Sequence, residues 1–166
     1  MGVNSRDRRC AASAFGGGFC GIGFLMTTVS ASFASSGFNV VKRTCATGYY
    51  SFGHELGHNM GLRHDVTVDS GTTPFVYAHG YVDVVHQFRT VMAYNNACTD
   101  SGVNCTRIQY FSNPNVNFSG FTTGNTATAN NALALDNTRV TVANFRASVA
   151  ARAPPPGRRG TRFARI

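Results

Sequence analysis

The chain lacks a long uninterrupted apolar run. Its most apolar stretch, from Phe15 to Phe33, is broken by glycines, serines and threonines, whereas a helix that crosses a bilayer needs about 20 consecutive apolar residues. The first ten residues contain arginines without the hydrophobic region of a signal peptide. The sequence also contains no internal repeat. We therefore expect no membrane segment and no membrane partner.

Acidic residues are scarce, with 7 Asp and Glu against 15 Lys and Arg, and the formal charge is +8. The basic surplus lies at the two ends, because residues 10–150 hold seven basic and six acidic side chains. Two basic tails do not form the single basic face that nucleic-acid binding requires. A chain of 166 residues fits one domain with a usable core. The composition therefore predicts one globular domain and no nucleic-acid partner.

Residues 54–65 read His-Glu-Leu-Gly-His-Asn-Met-Gly-Leu-Arg-His-Asp. On a helix with 3.6 residues per turn, His54 and His58 lie one turn apart on one face and can hold the same ion. Gly61 permits a turn at positive φ, so that His64 can return as a third ligand. Three neutral imidazoles with one open position are typical of a catalytic zinc site.

Glu55 follows the first histidine, where its carboxylate can reach a water at the metal and take its proton. The pattern thus predicts one catalytic zinc ion with Glu55 as the general base. The alternative is a polar surface helix that carries histidines by chance, although the fixed offsets of Gly61 and His64 make this coincidence rare.

The longer pattern resembles the signature of the metzincin zinc endopeptidases, and Asp65 after the third histidine is similar to the reprolysin-like branch. Phrases spread over residues 19–148, such as Thr138 to Arg146, resemble the bacterial group that includes the peptidyl-Asp metalloendopeptidases. The resemblance implies an α+β zincin domain with a small truncated mixed sheet, an active-site helix, a Met-turn and a C-terminal helix. It also implies a secreted, monomeric zinc endopeptidase that acts on peptides or proteins and prefers an acidic residue after the cut.

Met92 lies 28 residues after His64, in a segment that resembles the Met-turn of this clan. There its side chain is expected to form an apolar floor beneath the imidazoles, with ordinary core packing as the alternative. Tyr94 matches the position where some metzincins place a tyrosine close to the metal or the oxyanion. The alternative for Tyr94 is a half-buried aromatic side chain.

The resemblance further implies a pocket between the helix and residues 107–112 for the side chain that follows the cut. Its candidate lining residues are Arg107, Ile108 and Tyr110. A preference for acidic side chains needs a cation in this pocket, and Arg107 is the first candidate, with Arg89 and Arg139 behind it. A solvated surface position is the alternative for each arginine.

Five cysteines leave one unpaired if disulfides form. Cys98 and Cys105 bracket a short polar loop, Cys20 and Cys45 flank the two strands expected before the helix, and Cys10 is left over. The spacing and the resemblance favour two disulfides and an oxidising compartment, with five reduced thiols as the alternative.

The remaining pattern predicts strands over 20–28 and 38–43, the metal helix over 47–61, a short strand near 81–85 and a second helix over 126–150. Glycines in the first strand permit the close approach of another backbone. The second helix is expected to pack beneath the site through one face, formed by Leu133, Asn137, Val140 and Asn144.

The predicted organisation is an atypical segment over 1–18, a catalytic domain over 19–150 and a disordered basic tail over 151–166. Only 53 residues precede His54, about half of what the family usually has, so a strand–helix–strand unit is expected to be missing. Two other functions fit the same residues: a zinc-binding module without catalysis, against which Glu55 argues, and an inactive fragment.

Overall fold

The computed structural model describes residues 19–146. Within this range three α-helices and seven short strands surround a small core, which confirms the predicted α+β class. The segments predicted over 1–18 and 151–166, and the end of the second helix over 147–150, lie outside the described residues.

The strands of the described range are β1 (Gly21–Gly23), β2 (Asn39–Val41), β3 (Val82–Asp83), β4 (Phe88–Arg89), β5 (Thr106–Arg107), β6 (Asn117–Phe118) and β7 (Phe121–Thr122). The α-helices are α1 (Ser51–Asn59), α2 (Asn96–Asp100) and α3 (Asn131–Ala143), and Ala31–Ser35 and Arg43–Cys45 form 3₁₀ turns. The strands form three separate sheets, of which only β3–β4–β5 is mixed.

β1 and β2 form an antiparallel ribbon that packs against α1. The ribbon is shorter than the strands predicted over 20–28 and 38–43. After Gly23 the chain leaves β2, and the backbone N–H of Met26 donates instead to the carbonyl of His58, at 3.0 Å. A disulfide between Cys20 and Cys45 closes the other end of the ribbon, as expected.

Helix α1 begins later and ends earlier than the predicted span of 47–61. Tyr50 holds φ 55° in the left-handed region, so the helix starts only at Ser51. At the other end Gly61 turns the chain at φ 84°, a conformation that glycine adopts without a Cβ clash. The helix therefore carries His54, Glu55 and His58 on two turns bounded by sharp changes of direction.

In the mixed sheet, β4 runs antiparallel to β3 and parallel to β5, and its register places Arg89 beside Arg107. Between β4 and β5 the chain forms the short helix α2. A disulfide between Cys98 and Cys105, the second expected pair, closes this loop.

The face predicted for the C-terminal helix was wrong. Leu133 and Val140 are 42% and 65% exposed, whereas Asn131, Ala134 and Thr138 are fully buried. Small side chains allow α3 to approach the core closely. The buried donors are bonded, because the Asn131 amide donates to the Ala78 carbonyl at 2.8 Å and the Thr138 hydroxyl donates to that of Ala134 at 3.0 Å. Oδ1 of Asn131 is buried without a hydrogen-bond partner among the described residues.

The core lies between α1, the segment that directly follows β4, and α3, and its buried apolar residues are Leu62, Ala78, Val91, Met92 and Ala134. It therefore supports the underside of the helix that carries the predicted metal ligands. None of the helices between residues 19 and 146 has the length and apolar character needed to cross a bilayer.

Candidate active site

The three histidines converge on one point. The Nε2 atom of His64 lies 3.1 Å from the Nε2 atoms of both His54 and His58. His54 and His58 come from successive turns of α1, and the turn at Gly61 brings His64 back toward them. Among the described residues these three form a cluster whose ligand atoms all lie within 4.8 Å of one another.

The hydrogen bonds of the two helical histidines decide which ring nitrogen is free. Nδ1 of His54 lies 2.9 Å from the carbonyl oxygen of Val91, and Nδ1 of His58 lies 2.8 Å from that of Leu62. A carbonyl only accepts, so each Nδ1 carries the proton and donates. Each Nε2 then directs a lone pair toward the common point, as metal-binding histidines do when their other nitrogen is held by a carbonyl.

The charge state of the cluster also fits a cation. Burial lowers the pKa of His54 to about 3 and that of His64 to about 4, and it lowers the pKa of His58 in the same direction. The imidazoles are therefore neutral at neutral pH. The Nε2 atom of His64 lies 3.1 Å from those of His54 and His58, so lone pairs on these nitrogens repel one another, and a small divalent ion at their centre removes this repulsion. The donor set is that of a catalytic zinc site.

Glu55 lies next to this cluster on α1 and is 7% exposed. It lines the same cleft as the three histidines, together with β1 and Tyr94. Burial raises the pKa of Glu55 to about 7, and the charge of Arg107 opposes this rise. The carboxyl group can therefore both accept and release a proton near neutral pH.

Met92 is fully buried in the core, and its sulfur lies against α1 at Gly57. A Cβ at Gly57 would lie 2.7 Å from the Met92 sulfur, so α1 rests on this side chain only because position 57 is glycine. The apolar floor beneath the imidazoles stays a prediction for Met92, and its burial against α1 supports it. The segment that contains Met92 and Tyr94 is linked to His64 through the next residue, Asp65. Oδ2 of Asp65 accepts from the backbone N–H of Tyr94 at 2.8 Å.

The ring of Tyr94 stacks on the ring of His64, with centroids 4.2 Å apart and an angle of 28° between the planes. It is 39% exposed. It borders the cleft that contains the histidines and also a neighbouring cavity beside Glu55 and His54. The side chain is thus placed at the edge of the cleft, where a phenol can reach a bound ligand.

A second cavity of about 280 Å³ opens beside Glu55 and His54. Arg89 and Arg107 both line it, and each donates to the carbonyl oxygen of Ala93, at 2.7 and 3.2 Å. Burial lowers the pKa of both guanidinium groups, that of Arg89 to about 10 with their mutual repulsion adding to the effect. Nε of Arg107 is buried without a hydrogen-bond partner among the described residues. Two adjacent cations with free donors favour an anionic ligand.

The other residues expected in the pocket lie elsewhere. Ile108 is 4% exposed and belongs to the buried interior, and Tyr110 is exposed near Phe118. Neither lines the two cavities beside the histidines. Arg139 lies on the exposed side of α3, with Nε 3.4 Å from a carboxylate oxygen of Asp136.

Two residues that support the site did not stand out in the sequence. His79 is 2% exposed, and its Nδ1 lies 2.7 Å from the carbonyl oxygen of His64. Asn59 joins the end of α1 to the residue that follows β1 and to the start of β2. Each side chain forms hydrogen bonds with backbone groups that are distant in the sequence, so no local sequence pattern identifies these two residues.

Comparison with known proteins agrees with this geometry. A model of metallo-peptidase family M12 matches residues 6–119. A peptidyl-Asp metalloendopeptidase of Stenotrophomonas maltophilia (strain K279a) is 48% identical over 118 residues, which are 69% of this chain and 27% of that protein. Relatives of the same name are 46% identical over 115 residues in Xanthomonas campestris and 45% identical over 103 residues in Pseudomonas fragi.

The match to the Xanthomonas protein covers 69% of this chain and 26% of that relative. The match to the Pseudomonas protein covers 61% of this chain and 62% of that relative. The chain thus spans about a quarter of the length of the first two relatives. No solved structure matches it significantly. The family model nevertheless extends over more than half of the chain and includes the three histidines and Glu55, so the chain belongs to the reprolysin-like metallo-peptidase family M12.

Proposed function

We propose that this chain is the catalytic part of a secreted zinc endopeptidase. The single observation that carries the proposal is the convergence of three neutral imidazoles beside a buried carboxyl group. The two disulfides support an oxidising compartment. His54, His58 and His64 would hold the ion. When bound, zinc supplies a Lewis acid that acidifies water and polarises a carbonyl group.

Glu55 is the general base of this proposal. A carboxylate oxygen of Glu55 accepts a proton from the water that attacks the scissile carbonyl, and the same carboxyl group then donates it to the leaving amine. A pKa near 7 suits both transfers, because the group releases a proton as readily as it accepts one at neutral pH. Tyr94 lies across the cleft, where its hydroxyl can donate to the oxygen on which negative charge develops.

The substrate backbone is proposed to lie along β1, antiparallel to it. Within residues 19–146, β1 pairs only with β2, so its other edge offers hydrogen-bonding groups to an extended peptide. Gly21, Ile22 and Gly23 border the cleft that contains the histidines. A peptide added to this edge would pass directly over Glu55.

The side chain after the cut is proposed to enter the cavity that contains Arg89 and Arg107. A carboxylate is bound well there, because a guanidinium group offers two parallel N–H donors to its two oxygens. The relatives that match this chain are named for peptidyl-Asp cleavage, which supports the same preference. We assign the dominant contact to Arg107, because its charge acts on both Glu55 and Tyr94.

Catalysis is tested with Glu55→Gln, which keeps the shape of the side chain and removes the base. We expect the rate of peptide cleavage to fall by about 10²–10⁴-fold, while the zinc content of the purified protein stays at one ion per chain. Undiminished cleavage would refute the role of Glu55. If the unaltered, zinc-loaded protein cleaves no peptide at all, it is instead a binding module or an inactive fragment.

Specificity is tested with a peptide library and the zinc-loaded protein. Acidic residues should be enriched immediately after the cut, and Arg107→Gln should abolish this enrichment. Arg139→Gln is the matched control, because that guanidinium is solvated on α3 and its loss should leave the preference intact. A library without acidic enrichment removes the specificity proposal and leaves the catalytic one standing.

A further inference from the structure

The backbone of β1 touches the side chain of Glu55 at Gly21. A Cβ built at position 21 would lie 2.6 Å from Cγ, 2.9 Å from Cδ and 2.7 Å from Oε1 of Glu55. Separations below 3.0 Å are far inside van der Waals contact, so any other residue at this position displaces its neighbour. The strand thus forms a wall along the whole length of the catalytic side chain.

The wall is held at both ends. Before Gly21 the chain is joined to the segment preceding α1 by the Cys20–Cys45 disulfide. After Gly23 it is joined to the end of α1, because Met26 donates to the carbonyl of His58 at 3.0 Å and the Asn59 amide donates to that of Phe24 at 3.0 Å. β1 therefore cannot move away from α1 without breaking these links.

Gly23 makes a different contact from Gly21. A Cβ at Gly23 would lie 2.8 Å from the backbone carbonyl oxygen of Glu55, 3.2 Å from its Oε2 and 3.3 Å from Cβ of Asn39. The shortest of these contacts is with fixed backbone, whereas all three atoms that face Gly21 belong to a side chain that can rotate. A methyl group at position 23 therefore strains the fold, and a methyl group at position 21 moves the carboxylate.

We propose that Gly21 is a positioning residue for the proton transfer. Because Gly21 has no side chain, it leaves room for the Glu55 carboxylate and so determines its position relative to the scissile carbonyl. The proposal rests on the role of Glu55 proposed above. It predicts that Gly21→Ala separates catalysis from stability, since only the reacting group has to shift. A displacement of about 1 Å at a reacting group costs on the order of 10²-fold in rate.

The experiment compares three single alanine variants of the zinc-loaded protein, with Glu55→Gln measured beside them. Gly21→Ala should lower kcat by about 100-fold with little change in KM, an unchanged zinc content and an unfolding temperature close to that of the parent. Gly23→Ala should lower the unfolding temperature clearly. Gly48→Ala is the matched control: nothing lies within 4 Å of a Cβ there, so kcat and stability should both remain.

Two results would overturn the inference. One is a Gly21→Ala variant that keeps the parent kcat while Glu55→Gln loses activity, which leaves the proposed function intact. The other is a crystal structure of Gly21→Ala in which the Glu55 carboxylate has not moved relative to the three histidines. If instead Glu55→Gln is fully active, the proposed function fails, and the same crystal structure still decides whether Gly21 positions the side chain.

Discussion

Asn59 is the side chain whose loss should most clearly loosen the site from its sheet. It is 4% exposed at the end of α1. Its amide donates to the carbonyl oxygens of Phe24 and Phe38, both at 3.0 Å, and its Oδ1 accepts from the Asn39 amide at 2.7 Å. One amide thus joins the metal-bearing helix to the residue that follows β1 and to the start of β2.

Asn59→Asp keeps the size of the side chain and removes both donors. Two partly buried carbonyl groups then lose their partner, at about 1–3 kcal/mol each, while the bond from Asn39 is retained and strengthened by the charge, which recovers roughly 1 kcal/mol. The expected net loss is therefore about 1–5 kcal/mol of the free energy of unfolding. Domains of this size have only about 5–15 kcal/mol in total, so the variant should fold but with a narrow margin.

Urea unfolding of the parent and the variant at pH 7 measures this loss. With a slope of about 2 kcal/mol per molar for a domain of this size, the midpoint should fall by about 0.5–2.5 M. Asn115→Asp is the matched control, because the same chemical change at an exposed position should alter the stability by less than about 0.5 kcal/mol. A loss below 1 kcal/mol for Asn59→Asp would refute the assignment of this amide as the link between helix and ribbon.

Three further outcomes follow from the same contacts. Replacing both Cys20 and Cys45 by serine should cost about 3–4 kcal/mol in urea unfolding, because their disulfide closes a loop of 25 residues; an unchanged midpoint would contradict this. His79→Leu removes the donor to the His64 carbonyl and should raise the zinc Kd, measured by chelator competition, by about 10–100-fold; an unchanged Kd would count against it. Burial lowers the pKa of His54 to about 3 and that of His64 to about 4, so below pH 6.5 the unfolded metal-free chain binds protons that the folded one does not. The urea midpoint of metal-free protein should therefore fall from pH 7 to pH 5. The fall is less steep than the histidines alone would cause, because burial raises the pKa of Glu55 to about 7. A midpoint that rises over this range would contradict the low pKa values of the histidines.

The metal cluster was predictable because its geometry is local. His54 and His58 share one helical face by the period of the helix alone, and Gly61 supplies the only sharp turn needed to return His64. The two disulfides were predictable for a similar reason, since each joins segments that the order of elements already makes neighbours. In such cases spacing along the chain determines spacing in the fold.

The arginine pair was predictable only in part. The resemblance named Arg107 with Arg89 and Arg139 behind it, and Ile108 and Tyr110 as further lining residues. The cavity contains Arg107 and Arg89 but none of the other three. The position of Arg89 beside Arg107 is decided by the parallel register of β4 and β5, across a loop that contains a helix and a disulfide. Strands of two residues carry no alternation from which a register can be inferred.

The buried face of α3 was not predictable from the sequence either, because the prediction ranked the residues only by their polarity. Counting apolar side chains selects Leu133 and Val140 as the buried face, yet the helix buries Asn131 and Thr138 instead. Burial of a polar donor costs less when its hydrogen bond is formed inside the protein. Here the donors of Asn131 and Thr138 find the carbonyl of Ala78 and the helix's own backbone, while Oδ1 of Asn131 has no partner among the described residues. Since Ala78 lies 53 positions from Asn131, the favourable face depends on a partner that only the folded chain supplies. The same reasoning applies to Gly21, whose importance comes from a side chain on another element, so a glycine at an ordinary φ can be as constrained as one in a left-handed turn.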